Sequence, residues 1–105
     1  MAVHDVNFST YVGLEIIADK WNALILTQLT SEFIPFMELR TAIRGGISTF
    51  NFLLKLEQLE ELNLVASNTD YEYRLTANGQ QIQRILAHIE TLGRQALNHL
   101  ATEVN

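Results

Sequence analysis

The sequence contains no cysteine and a single proline among its 105 residues. Without thiols the chain cannot form a disulfide, bind a metal through thiolates or respond to oxidation at a cysteine. It also lacks any run of about 18 apolar residues, so we predict no membrane-spanning helix. The first five residues lack the charged-then-apolar pattern of a secretory signal. Together these absences predict a soluble cytoplasmic protein.

Positive charge is scarce as well, with seven Lys and Arg against twelve Asp and Glu and a formal net charge of −5. A DNA-binding surface is normally basic, because much of its affinity comes from neutralising phosphates. The distribution of charge matters more than its sum, so an acidic balance does not exclude nucleic acid. It does predict few contacts with phosphates.

No pattern of residues indicates an enzyme. His4, His88 and His99 are far apart in sequence, and the last two lie about 16 Å apart along one predicted helix, too far to share a metal within a subunit. No serine has a matching base, and the glycines at 45 and 46 lack the lysine and spacing of a phosphate-binding loop. We therefore predict no catalytic residue, no metal and no cofactor, with histidines that face solvent or an interface.

Two predicted helices separated by a glycine turn organise the stretch 35–63. The first runs over 35–43, and the glycines at 45 and 46 then permit a tight turn with positive φ. Ser48 is placed to cap the second helix, and Asn63 is suited to a left-handed conformation at its end. Apolar residues at helical spacing predict the buried side of the second helix: Phe52, Leu56 and Leu59.

Upstream, residues 1–8 are predicted to be an extended or frayed, flexible N-terminus. A helix follows from Thr10 to about Thr30, with a break near Asp19. Its apolar residues recur at helical spacing and predict one buried face, with the tryptophan as a core anchor: Leu14, Ile17, Trp21, Leu24, Ile25 and Leu29.

Downstream, residues 64–76 predict two short strands joined by a turn at 68–70. Alternation places three apolar or aromatic side chains of the second strand on one face: Tyr71, Tyr73 and Leu75. The connector 31–34 can add a third strand, and a long helix over 77–103 completes one domain of residues 1–105. Helix, turn, helix and ribbon in this order predict a mainly α (α+β) winged helix-turn-helix with a two- to three-stranded wing.

Five short motifs in this order resemble the HxlR-type family of winged-helix transcriptional regulators, relatives of the MarR group. That family carries GGKW, F-x-E-L, G-I-S, G-L-V and Y-x-L-T-x-x-G. The corresponding segments here are Ala18–Trp21, Phe36–Leu39, Gly46–Ser48, Asn63–Val65 and Tyr73–Gly79, within a resemblance that covers roughly residues 12–97. The resemblance implies a DNA-binding regulator. Two departures stand out: this chain lacks the sensing cysteine that many members carry before the first helix, and its wing is short and lacks basic residues at its tip.

The helix that begins after Ser48 carries the candidate functional residues. Under the DNA-binding interpretation, three side chains read or position bases and three contact phosphates, with Arg40 a weaker candidate: Ser48, Thr49 and Asn51 for bases, and Arg44, Lys55 and Arg74 for phosphates. The outer face of this helix also presents Phe50 and Leu54. Under the alternative interpretation, these two side chains form an apolar patch that binds a protein partner, and DNA binding has been lost.

The last helix has more apolar surface than a core of this size can cover. We predict that its excess pairs with the same helix and the first helix of a second subunit, because two-fold dimers are the commonest assemblies and the resemblance also implies one. The predicted dimer contacts are Leu14, Ile85, Ile89, Leu92, Ala96 and Leu100.

Overall fold

The computed structural model describes residues 2–104, with side chains described from Ser9 to Glu103. In this part of the chain the order is α1 Ala2–Ala18, α2 Lys20–Gln28, β1 Ile34–Pro35, α3 Phe36–Ala42, α4 Thr49–Glu61, β2 Val65–Ser67, β3 Glu72–Leu75 and α5 Ala77–Val104. The fold is therefore mainly helical, with a small antiparallel sheet and a long C-terminal helix. It has the predicted winged helix-turn-helix arrangement.

The break between the first two helices falls at Asp19, as predicted. The Asp19 carboxylate accepts hydrogen bonds from the backbone amides of Trp21, at 2.9 Å, and Asn22, at 3.0 Å, and so caps the N-terminus of α2.

Helix α1 begins at Ala2, so the prediction of an extended segment over residues 1–8 is wrong for the backbone from Ala2 onward. Neither glycine nor proline occurs in residues 2–9 to interrupt a helix. Met1 lies outside the described residues.

The turn between α3 and α4 and the two ends of α4 are set by local chemistry. Gly45 has a φ of +119°, whereas Gly46 does not adopt a positive φ, so only one of the two glycines supplies the predicted conformation. The Ser48 hydroxyl accepts from the Asn51 amide at 3.1 Å and caps α4. At the other end Asn63 has a φ of +60°. These observations confirm the predicted bounds of the helix.

The C-terminal end of α4 is closed by a Schellman motif. The Leu64 amide donates to the carbonyl of Leu59 at 3.0 Å, and the Asn63 amide donates to that of Glu60 at 2.9 Å. Leu59 and Leu64 are both buried, which supplies the apolar contact that accompanies this motif. The chain therefore leaves the helix in a fixed direction and enters β2.

The sheet has the strand order β1-β3-β2, with antiparallel pairing throughout. Tyr73 and Leu75 face inward and are buried, but Tyr71 is 74% exposed, so the prediction that all three share one face is wrong for Tyr71. The side-chain oxygen Oδ1 of Asn68 accepts hydrogen bonds from the backbone amides of Asp70 and Glu72. This turn holds Tyr71 at a φ of +58°, outside the strand whose alternation the prediction assumed.

The core lies between α2, α3, α4 and the inner face of the sheet. Phe52 is fully buried there, and its ring packs edge-on against Phe36 with centroids 5.6 Å apart. Trp21 is half-buried and packs against the same cluster, which confirms its predicted role as a core anchor. The remaining buried apolar residues come from α2, α3, α4, β2, β3 and the connections next to them: Ile25, Leu26, Leu29, Leu39, Ile43, Ile47, Leu56, Leu59, Leu64, Val65, Tyr73 and Leu75.

Helix α5 is attached to the domain only at its first turns. The Thr76 hydroxyl accepts from the Gly79 amide at 3.0 Å, and Gln83 donates to the carbonyls of Leu26 and Leu29, both at 2.8 Å. After Leu86 every described side chain of the helix is exposed. Its 28 residues extend over about 42 Å. Among residues 2–104, no helix is both long enough and apolar enough to cross a membrane.

Candidate nucleic-acid interface

The two faces of α4 differ as the helical spacing predicts. Phe52, Leu56 and Leu59 are at most 1% exposed, whereas Phe50 is 70% exposed and Leu54 is 39% exposed. Residues four apart lie on the same side of a helix, so Phe50 and Leu54 form one strip opposite the core. The outer face of α4 is therefore open to solvent along the domain surface.

Four of the predicted site residues lie together at the N-terminal end of α4. Arg44, Ser48, Thr49 and Asn51 are all exposed. The Ser48 hydroxyl is occupied as the helix cap, and Arg44 makes no hydrogen bond or ion pair within residues 9–103. In a helix-turn-helix, the first residues of the second helix are the ones that reach base edges. The geometry places the candidate base-reading residues at that end.

Lys55 lies on the side of α4 that faces the junction of α1 and α2. Its Nζ is 2.6 Å from Oδ2 of Asp19, and both side chains are about three-quarters buried. Burial alone raises the pKa of Asp19, but the hydrogen bonds from Lys55 and from the amides of Asn22 and Trp21, together with the charge of Lys55, lower it below its usual value. Lys55 thus holds α4 against the helix junction, a role that sequence spacing did not predict.

Arg74 and Arg40 also make contacts within the subunit, with aromatic rings and backbone carbonyls. Arg74 lies over the Phe33 ring, 5.2 Å from its centroid, and donates to the Leu75 carbonyl at 3.2 Å. Arg40 lies 5.2 Å from the Phe52 ring centroid, and one of its nitrogens donates to the Ile47 carbonyl at 2.7 Å. Arg40 therefore secures the turn that delivers α4. Its place in the last turn of α3, where cations bind free carbonyls, was the sequence signal for this role.

The turn of the wing offers no positive charge. It spans residues 68–71, where Asp70 and Tyr71 are exposed and the Asn68 amide donates to the Glu72 carboxylate at 2.7 Å. Beyond the N-terminal half of α4, the outer face of that helix carries the exposed carboxylates of Glu57 and Glu61. The exposed charges of the wing turn and of the C-terminal half of this outer face are therefore acidic.

A second exposed surface lies on α5. Ile85, Ile89 and Leu92 are each 45% to 51% exposed, and Leu100 is 57% exposed. On the helical wheel these residues are rotated to one side by roughly 40–120° from Leu86, which packs on the core. Ala96 lies on the same stripe, and Leu14 of α1 is 51% exposed. The predicted dimer residues are thus uncovered within the subunit.

Neither of the two histidines whose side chains are described takes part in the candidate interface. His88 and His99 are exposed on α5, and Nε2 of His99 lies 3.2 Å from the Glu103 carboxylate one turn later. His4 lies outside the residues whose side chains are described.

Comparison with known proteins assigns the fold to a family. The model of the HxlR-like helix-turn-helix family matches residues 16–101. The chain belongs to that family. It is therefore a helix-turn-helix transcriptional regulator of the HxlR type and not an enzyme, which confirms the family prediction from the sequence.

Solved structures of other regulators are similar. A regulator of the MarR family from Enterococcus faecalis V583 shares 22% identity at a TM-score of 0.80, over 91% of this chain and 92% of that one, and at this identity shows the fold alone. A MarR-family regulator from Porphyromonas gingivalis W83 shares 28% identity at a TM-score of 0.69, over 81% and 88% of the two chains. The regulator ytfH from Salmonella typhimurium shares 26% identity at the same TM-score, over 90% and 88%. A search of proteins with curated functions finds no match.

Proposed function

We propose that this HxlR-type regulator acts as a homodimer whose two α4 helices enter successive major grooves of double-stranded DNA, and that it binds DNA weakly. The observation that carries the proposal is the exposed N-terminal end of α4, which a serine cap and a buried apolar stripe hold in a fixed orientation. A dimer of such domains presents its helices about one helical turn of DNA apart.

Within this proposal the residues at the N-terminal end of α4 have different roles. Thr49 and Asn51 contact base edges, because both are exposed and carry hydrogen-bonding groups. Ser48 acts through the cap that keeps the helix end formed. Arg44 contacts a phosphate. Lys55 and Arg74 reach phosphates only by leaving their partners in the subunit, so we assign them to positioning.

The weakness of binding follows from the distribution of charge. Each phosphate neutralised by a cation contributes to affinity through the release of counterions. Near α4 only Arg44 is both exposed and without a partner among the described residues, whereas Glu57 and Glu61 place like charge next to the phosphates. The dependence of affinity on salt should therefore be shallow.

Fluorescence anisotropy with duplexes of random sequence and with genomic fragments tests this at low salt. The slope of log K against log salt is about −0.9 per phosphate contact, so we expect about −2 to −4 for a dimer. Arg44→Met should reduce the slope by about one per subunit, whereas Lys55→Met should leave it unchanged. Absence of binding at tens of micromolar protein would contradict the proposal.

The exposed stripe on α5 supports the homodimer. A helix of about 42 Å that is covered only over its first three turns leaves Ile85, Ile89 and Leu92 half exposed in water, and such contiguous patches mark interfaces. Sedimentation at micromolar concentration should give twice the monomer mass of 11.9 kDa. Ile89→Glu should give a monomer. Asn98→Glu adds the same charge on the opposite side of the helix and should leave the dimer intact.

A second candidate function follows from the apolar strip of Phe50 and Leu54. An exposed apolar pair on a helix is also suited to a protein partner. In that case Phe50→Glu would abolish capture of a partner from native extract while thermal stability stays nearly constant, and no duplex would bind at low salt. The DNA titration therefore separates the two candidates.

A further inference from the structure

The outer face of α4 changes character along its length. Its N-terminal half carries Phe50, 70% exposed, and Leu54, 39% exposed, whereas its C-terminal half carries Glu57 and Glu61. Phe50 lies two residues after the cap at Ser48. The part of the helix that is placed to meet bases is therefore apolar, and the part that lies farther away is acidic.

The chemistry of Phe50 limits what it can recognise in a major groove. Its ring has neither a donor nor an acceptor, and the C5-methyl group of thymine is the apolar feature that base pairs present in that groove. The neighbouring Asn51 is exposed, and an asparagine amide pairs with N6 and N7 of adenine. Adjacent residues thus have complementary preferences for the two bases of A·T pairs.

We propose that Phe50 is a specificity-determining residue that reads a thymine methyl group in each half-site, with Leu54 contacting a second methyl group one helical turn along. This inference rests on the proposed DNA-binding function. With so few cations available near α4, these apolar contacts carry an unusually large share of the discrimination between sequences. The preferred half-site therefore contains thymine at a position that Phe50 reaches.

The test begins with duplexes that the protein selects from a randomised library at low salt. In the best duplex each thymine is replaced in turn by uracil, which removes only the methyl group. At the position that Phe50 reads, the loss of one methyl contact should weaken binding about fourfold per half-site. Changing that A·T pair to a G·C pair whose cytosine is 5-methylated should retain part of the affinity that unmethylated cytosine loses.

The variants link the effect to the residue. Phe50→Ala should bind the thymine and uracil duplexes equally well, because the alanine side chain is too short to reach the methyl group that the phenyl ring contacts. Leu62→Ala, an equally conservative change of a 43% exposed residue at the far end of the same helix, should retain the fourfold preference. Unchanged unfolding of Phe50→Ala in urea would show that the loss is not one of folding.

The outcomes are distinguishable. If no duplex is selected or bound, the proposed DNA-binding function itself fails. If duplexes are selected but no uracil replacement weakens binding, the regulator stands and this inference is overturned. A Phe50→Ala variant that keeps the preference for thymine would overturn it as well, because another residue would then read the methyl group.

Discussion

Helices α4 and α5 are both amphipathic, but they differ in how much of the apolar face is buried within the subunit. Phe52, Leu56 and Leu59 are at most 1% exposed, whereas Ile89 and Leu92 of α5 are 45% and 51% exposed. The same helical periodicity predicts an apolar face in both cases. It does not say what covers that face: α4 packs on its own domain, whereas we propose that α5 pairs with a second copy of the chain.

The largest effect should come from the covered side of α4. Phe52→Ala removes a fully buried ring that contacts Phe36 edge-on, and we expect a loss of about 3–5 kcal/mol in the free energy of unfolding. The matched change on the other side of the same helix, Phe50→Ala, should stay within about 0.5 kcal/mol. Urea unfolding measures both. Similar losses for the two variants would mean that Phe50 is also a packed residue, and the contrast between the faces of α4 would be lost.

Much of the contrast could be predicted because it depends on local chemistry. The spacing of Phe52, Leu56 and Leu59 fixes the buried side of α4, and Ser48 and Asn63 mark its ends through groups within a few residues. The same holds for the break at Asp19, whose side chain caps the next helix. These features need only a few neighbouring residues to form.

What could not be predicted depends on distant partners. Lys55 and Asp19 are 36 residues apart. Helical spacing describes only residues within one helix, so it could not predict that Lys55 contacts the junction of α1 and α2. Arg74 was predicted to contact phosphates, yet its guanidinium lies over the Phe33 ring. Tyr71 does not lie on the inner face of the sheet because it belongs to the turn that the Asn68 side chain closes through the amides of Asp70 and Glu72. Charge counted along the chain thus overestimated the cations available to DNA.

The two glycines of α5 test the other half of the comparison. A methyl group on Gly79 would collide with the backbone oxygen of Leu64 and lie 3.1 Å from the Leu75 side chain, whereas nothing lies within 4 Å of the same position on Gly93. Gly79→Ala should therefore cost about 1–3 kcal/mol, because the attached end of α5 must shift. Gly93→Ala should raise stability by up to about 1 kcal/mol through better helix propensity. Calorimetry of the two variants at equal concentration makes the comparison.

Either of two results would change the picture of α5. Equal stability of the two variants would show that the attached end is not closely packed. A loss of the dimer in Gly93→Ala, seen by sedimentation, would place Gly93 where two helices approach closely and so extend the predicted interface to that turn.

The smallest effect concerns the ion pair that ties α4 to the α1–α2 junction. Asp19→Asn keeps a side-chain oxygen able to cap α2 but removes the charge that Lys55 contacts, and Lys55→Met keeps the aliphatic stem while removing the ammonium. Because the pair is partly exposed, each change should cost less than about 1 kcal/mol at pH 7.

The stabilisation that the Asp19–Lys55 ion pair contributes should depend on pH in a defined direction. The folded pKa of Asp19 lies below its usual 3.8, so the stabilisation is complete above 3.8 and is lost as the pH falls through the folded pKa. The difference between the wild type and Lys55→Met, measured by urea unfolding, should accordingly shrink in acid. A difference that stays constant across this range would show that the Lys55 ammonium does not stabilise α4 through the charge of Asp19. The ammonium would then not be held at Asp19 and could contact phosphates. Lys55 would in that case belong to the DNA-binding side of α4 as well as to the side that packs on the α1–α2 junction.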